Sequence, residues 1–110
     1  MLNDNLITPE GARFLAQSTA FPNLQTLNLF RNEMGDEGAV ILSQSKTMAG
    51  LQSLYLGQNN IGDVGAVALI ESGSFPNLKI LDLVLNPLGE NTMISVFKSN
   101  KTGKLQIITR

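Results

Sequence analysis

The 110 residues contain no cysteine, no histidine and no tryptophan. Without cysteine there is no disulfide framework and no thiolate nucleophile. Without histidine, the commonest metal ligand and the commonest general base near neutral pH are missing. Charge is also sparse. Only 15% of residues carry one, and a net charge of −1 gives no broad attraction to nucleic acid or an anionic membrane surface. The longest unbroken apolar run is Ala66 to Ile70, far short of the roughly 20 residues of a membrane-spanning helix. The opening MLNDNLITPEGARFL has neither the basic start nor the apolar stretch of a signal peptide, so an intracellular location is favoured. What remains holds no nucleophile–base pair, no phosphate-binding glycine loop and no metal-ligand cluster. Catalysis, cofactors and metals are therefore not expected.

What the chain does have is a repeat. Hydrophobic content of 43% suits a single folded domain, and the leucines recur with a period of 27. Leu24, Leu51, Leu78 and Leu105 fall in register, followed by Leu27, Leu54, Leu81 and Ile108. Leu2, Leu29, Leu56 and Leu83 come next, then Asn5, Asn32, Asn59 and Asn86. Gly11, Gly38 and Gly65 follow, with Ala12, Ala39 and Ala66, then Leu15, Leu42 and Leu69. This divides the chain into a partial repeat 1–23, repeats 24–50, 51–77 and 78–104, and a terminal strand 105–110.

Within each unit, two periods succeed one another. Leu27-Asn28-Leu29 alternates as a strand with one buried face does. The spacing of Ala12 and Leu15, and of their equivalents, is that of a helix with its inner side on the core. Thr8-Pro9-Glu10 reads as a helix start, with Thr8 at the N-cap, Pro9 in the first turn and Glu10 favouring the helix dipole. Asp36 and Glu37 read the same way, each serving its own helix. An asparagine recurring at one turn position can bond backbone groups of its own turn and the next, so Asn5, Asn32, Asn59 and Asn86 are expected to form a structural ladder. Arg110 falls where the period expects a buried leucine, as a solvated end of a stack would require. One strand and one short helix per 27 residues forces parallel strands with right-handed crossovers.

At L-x-x-L-x-L-x-x-N-x-I-G-D-x-G-A-x-x-L, clearest over Leu24–Leu42 and Leu51–Leu69, the chain resembles the leucine-rich repeat family. The subtype it is most similar to is that of ribonuclease inhibitor, the Ran GTPase-activating protein and the NOD-like receptors. The resemblance implies a right-handed α/β solenoid, a horseshoe segment with parallel strands on the concave face and helices on the convex one. It also implies a protein-interaction module. The uniform period and the absence of cysteine depart from ribonuclease inhibitor, so inhibition of a ribonuclease is not carried over.

If the chain binds a protein, specificity has to lie between the buried leucines. On the concave face these residues are Asn28, Phe30, Arg31, Tyr55, Gln58, Asp82, Val84 and Leu85, with Phe30, Arg31 and Tyr55 the first choices for binding hot spots. Five residues of strand by four strands, at ~3.3 Å rise and ~4.8 Å spacing, cover on the order of 300 Å². A standard interface needs about 800 Å² from each partner. Adjacent loops must join, or the chain is part of a longer array, as its start within a repeat suggests. A structural solenoid segment is the alternative, as is self-association through an open N-terminal end at Leu2. Regulation of a GTPase rests only on the family resemblance. Lys98, Lys101, Lys104 and Arg110 lack an aromatic platform, so neither nucleic acid nor membrane is an expected partner.

Overall fold

The computed structural model describes residues 7–20, 23–100 and 104–110. Strands and helices alternate along the chain: α1 (Pro9–Gln17), β1 (Thr26–Asn28), α2 (Gly35–Ser43), β2 (Ser53–Tyr55), α3 (Asp63–Ile70), β3 (Ile80–Asp82), α4 (Glu90–Asn100) and β4 (Gln106–Ile108). The four strands form one parallel sheet in the order β1-β2-β3-β4. The helices pack in sequence order beside it, giving an α/β solenoid segment.

The strands are short because only one L-x-L alternation faces the core in each unit. Leu27, Leu29, Leu54, Leu56, Leu81 and Leu83 are buried, and Ala39, Leu42, Ala66 and Leu69 meet them from the helices. Leu24 and Leu105 pack partly buried at the strand entries, while Leu51 and Leu78 are fully in the core. Backbone pairing continues beyond the formal strands. The Gln52 N–H donates to the Gln25 carbonyl at 2.8 Å, and the Arg31 N–H to that of Gly57 at 2.9 Å.

Thr8 occupies the N-cap of α1, yet its hydroxyl makes no capping bond. At the turn preceding each helix, Asn32, Asn59 and Asn86 form a ladder. The Asn59 amide group donates to the carbonyls of Leu56 (3.2 Å) and Gly57 (3.1 Å) in its own turn and of Leu29 (2.7 Å) in the turn before. Its oxygen accepts from the Met34 N–H at 3.3 Å. Asn86 accepts from the N–H groups of Asn59 and Ile61 and donates to Leu56. Asn32 likewise accepts from Ile7 at 3.0 Å. Asn5 and Leu2 lie outside the described residues.

Two expectations about the C-terminal end are corrected. Leu54 pairs with Leu81 at the 27-residue period, but Leu81 pairs with Ile107, only 26 residues on. Ile107, not Ile108, therefore takes the core position, and Thr109 rather than Arg110 follows in the slot of Leu83. The reason is the pleat. A one-residue slip exchanges the two faces of a strand, and this register turns Ile107 towards the core, where the strict period would turn Ile108 inward. The end of the stack is not a polar cap either. Met93, Ile94 and Phe97 on α4 are 43%, 46% and 65% exposed.

Candidate protein interface

Above β1, β2 and β3 the chain turns through a left-handed residue. Arg31, Gln58 and Leu85 have φ of 58°, 54° and 61°, at the same position of three successive units. None is glycine, so each turn holds a side-chain-bearing residue in a conformation that such residues seldom adopt. The asparagine ladder, one residue on, fixes those turns. The outcome is an exposed row of Arg31, Gln58 and Leu85 along one rim of the sheet, with Leu85 65% exposed.

The outward side chains of the strands sort into two rows. In the first, Asn28, Tyr55 and Asp82 lie side by side by register. Asn28 and Asp82 are partly engaged in the fold: each side-chain oxygen accepts the N–H two residues on, from Phe30 and Val84, at 3.0 Å. These local bonds stiffen the strand exits. Tyr55 has no such acceptor, and its half-buried ring stands between them. The second row is Phe30, Gly57 and Val84. A Cβ at Gly57 would meet the Phe30 ring at 2.7 Å and Val84 Cγ1 at 2.9 Å. Phe30 and Val84 thus converge over Gly57 and bury it, which explains why both are half-buried although the strand geometry turns them outward. The eight residues singled out by sequence are therefore contiguous, but unequal. Asn28 and Asp82 support the backbone, Phe30 and Val84 form a ledge, and Arg31, Gln58 and Leu85 line its rim.

Two stretches of the chain, residues 22–43 and 51–69, match the family model described as Leucine Rich repeat. They correspond to β1–α2 and to β2 with most of α3, the units in which ladder, strand and helix are most regular. Both stretches are leucine-rich repeats. A comparison with curated proteins finds no match.

Between these leucine-rich repeats, the acidic residues at the helix starts do something the sequence did not reveal. Asp36 Oδ1 accepts from the N–H groups of Gly62 and Gly65, at 2.8 and 2.9 Å, and so caps the N-terminus of the following helix, α3. Asp63 repeats this on α4. It accepts from Gly89 at 2.8 Å and Thr92 at 3.1 Å, and also from the Thr92 hydroxyl. The Thr92 hydroxyl and the Gly89 amide, ahead of a smaller opposing cost of burial, hold the Asp63 carboxyl below its ordinary range. Reading Asp36 as serving only the dipole of its own helix was therefore incomplete. Gly62, Gly65 and Gly89 are the positions such a neighbouring carboxylate needs open, since a Cβ at Gly89 would sit 2.7 Å from Asp63 Oδ2.

The helix C-termini are tied in the same way. Ser45 and Thr47 hydroxyls donate to the Ala16 carbonyl, at 2.9 and 3.0 Å. One period later, Ser72 and Ser74 donate to Ser43, at 2.5 and 2.8 Å. Each satisfies a carbonyl that a helix end leaves unpaired. Polar chemistry in this protein thus joins neighbouring repeats at the strand exits, the helix starts and the helix ends.

Proposed function

We propose that this leucine-rich repeat protein binds another protein through the outward face of its sheet and the adjoining turns. Leucine-rich repeats generally mediate protein–protein interaction and are typically non-catalytic. The observation that carries the reading is the convergence of Phe30 and Val84 over Gly57, beside Tyr55 and the exposed Leu85. Apolar and aromatic groups preorganised on a rigid sheet lose little entropy on contact, which is what a binding hot spot requires. Arg31 and Gln58 on the rim supply polar contacts, while Asn28 and Asp82 hold the turns that present them. The turns also extend the footprint beyond the roughly 300 Å² of the strands, towards the ~800 Å² of a standard interface. The Gly-Asp-x-Gly-Ala sequence at 35–39 and 62–66, shortly after the ladder asparagine, favours the ribonuclease-inhibitor-like subtype for these repeats.

A photo-crosslinking residue tests this directly. Placed at Gln58 it should give discrete adducts in lysate of the source cells, whereas the same group at Val64, exposed on α3, should not. The pair Phe30→Ser and Tyr55→Ser should lower the Gln58 adduct yield at least ~10-fold with the circular dichroism unchanged, as loss of hot-spot residues does. Equal yields from Gln58 and Val64 would sink the proposal.

A further inference from the structure

The outer face of a solenoid helix meets solvent, and α1 has the composition this requires: its outward positions Glu10, Arg13 and Gln17 are polar and exposed. Helix α3 is different. From Val64 to Ile70 it contains no polar residue. A helix apolar on every side is ordinarily covered on every side. The inner face of α3 is covered, with Ala66 and Leu69 buried in the core. Its outer face is not, and Val64 is 66% exposed.

This outer face forms one wall of a groove between α3 and α4, two helices packed side by side, and so lies within the stack rather than at an end of it. Val64, Val67 and Glu71 stand on one wall, and Asn91, Ile94 and Lys98 on the other, each 27 residues from its counterpart. Ile94 is 46% exposed. Glu71 accepts from the Ser95 hydroxyl at 3.2 Å, but among the described residues no ion pair joins it to Lys98. Asp63, at the mouth of the groove, is committed to capping α4.

We infer that the α3–α4 groove is the contact of a two-fold dimer, in which each copy lays its α3 on the α4 of the other. A two-fold axis running along the groove brings Val67 of one copy to Ile94 of the other and Glu71 to Lys98, and symmetry makes each contact twice. The occupant is a second copy because the two walls match row by row, aliphatic with aliphatic and carboxylate with ammonium. An axis across the helices would instead set Val64 against Glu71 and Lys98 against Asn91, losing both matches. The interface is isologous, closes at a dimer and leaves the outward face of the sheet free. Two helices at ~10 Å spacing, over two turns of ~5.4 Å, cover on the order of 250 Å² per copy, so the dimer is weak. It is dissociated at the sub-micromolar chain levels of a lysate, where Val64 stays free.

Sedimentation velocity on the full chain, from about 5 to about 500 µM, the range in which so small an interface dissociates, reads the association. The mean mass should rise towards that of a dimer and not beyond it. Glu71→Lys sets like charges together at both contacts, and so does Lys98→Glu. Each variant alone should associate at least ~10-fold more weakly than wild type. Both positions are exposed, so the fold should survive, as circular dichroism would verify. Mixed 1:1, the two variants should dimerise as wild type does, because every lysine then meets a glutamate of the other copy. A wild-type chain that stays monomeric throughout, or that grows past a dimer, overturns the inference. So does a mixture no more associated than its separate components, which would mean that positions 71 and 98 do not meet across the interface.

Discussion

Gly65 shows how one residue's side chain, or lack of one, sets the distance between repeats. A Cβ there would lie 2.8 Å from Ala39 Cβ and Asp36 Oδ1, and 3.0 Å from the Asp36 Cα. Helix propensity alone favours alanine over glycine by up to ~1 kcal/mol. Overpacking costs typically ~1–3 kcal/mol, and here one of the obstructing atoms is backbone, which cannot swing aside. Overpacking should therefore win, and Gly65→Ala should be less stable than wild type by about 1–2 kcal/mol in urea unfolding. Gly73→Ala, where nothing lies within 4 Å, is the matched control and should change stability by no more than ~0.5 kcal/mol. In α4 the equivalent residue is Thr92, whose hydroxyl turns the same close approach into a hydrogen bond with Asp63. Position 65 could be recognised as a place of close approach from the period, but its opposing atoms could not.

At the scale of the element, helices α3 and α4 begin on carboxylates that belong to the preceding unit. At α4 this makes capping sensitive to protonation. The folded-state pKa of Asp63 is lowered, so its contribution is fully present above the ordinary carboxyl value of ~3.9 and is lost as pH falls through the lower folded value. Asp63→Asn keeps an acceptor oxygen but removes the charge and its titration. The melting temperature of wild type should exceed that of Asp63→Asn above about pH 5, and the gap should narrow steadily below about pH 4. A gap that stays constant down to pH ~2 would show that the charge of Asp63 contributes nothing. The helices themselves were legible in the sequence, α1 beginning at Pro9 as the Thr8-Pro9-Glu10 start implies. Which element each acidic residue served was not legible, because helix-start preference and capping of a neighbour both place aspartate in a first turn.

For the whole molecule, cohesion comes from ties between adjacent repeats rather than from a centre shared by all of them. Asn59 is fully buried and bonds backbone in both its own turn and the turn of the repeat before, so it joins two units at once. Asn59→Ala removes a net ~1 kcal/mol per bond and leaves buried backbone groups without partners. The expected loss is about 2–4 kcal/mol by chemical denaturation, among the largest for any single polar residue here. Since stability in such a stack is a sum over neighbouring units, amide exchange should accelerate most in the turns around Asn32 and Asn59 and least in β4. Uniform acceleration along the chain would contradict that nearest-neighbour picture.

The sequence by itself determined the period, the class of fold, the parallel sheet, the buried leucines and the outward rows that contain Phe30, Tyr55 and Leu85. All of these follow from spacing along the chain, since a side chain's face in a strand or helix is set by its position within the local period. Only the tertiary structure decided the partners across the gap between repeats. It placed Asp36 and Asp63 on the following helices, folded Phe30 across Gly57, shifted β4 by one residue and left Met93 and Phe97 exposed on α4. These outcomes depend on how closely one unit approaches the next, a distance set by packing and not by spacing along the chain.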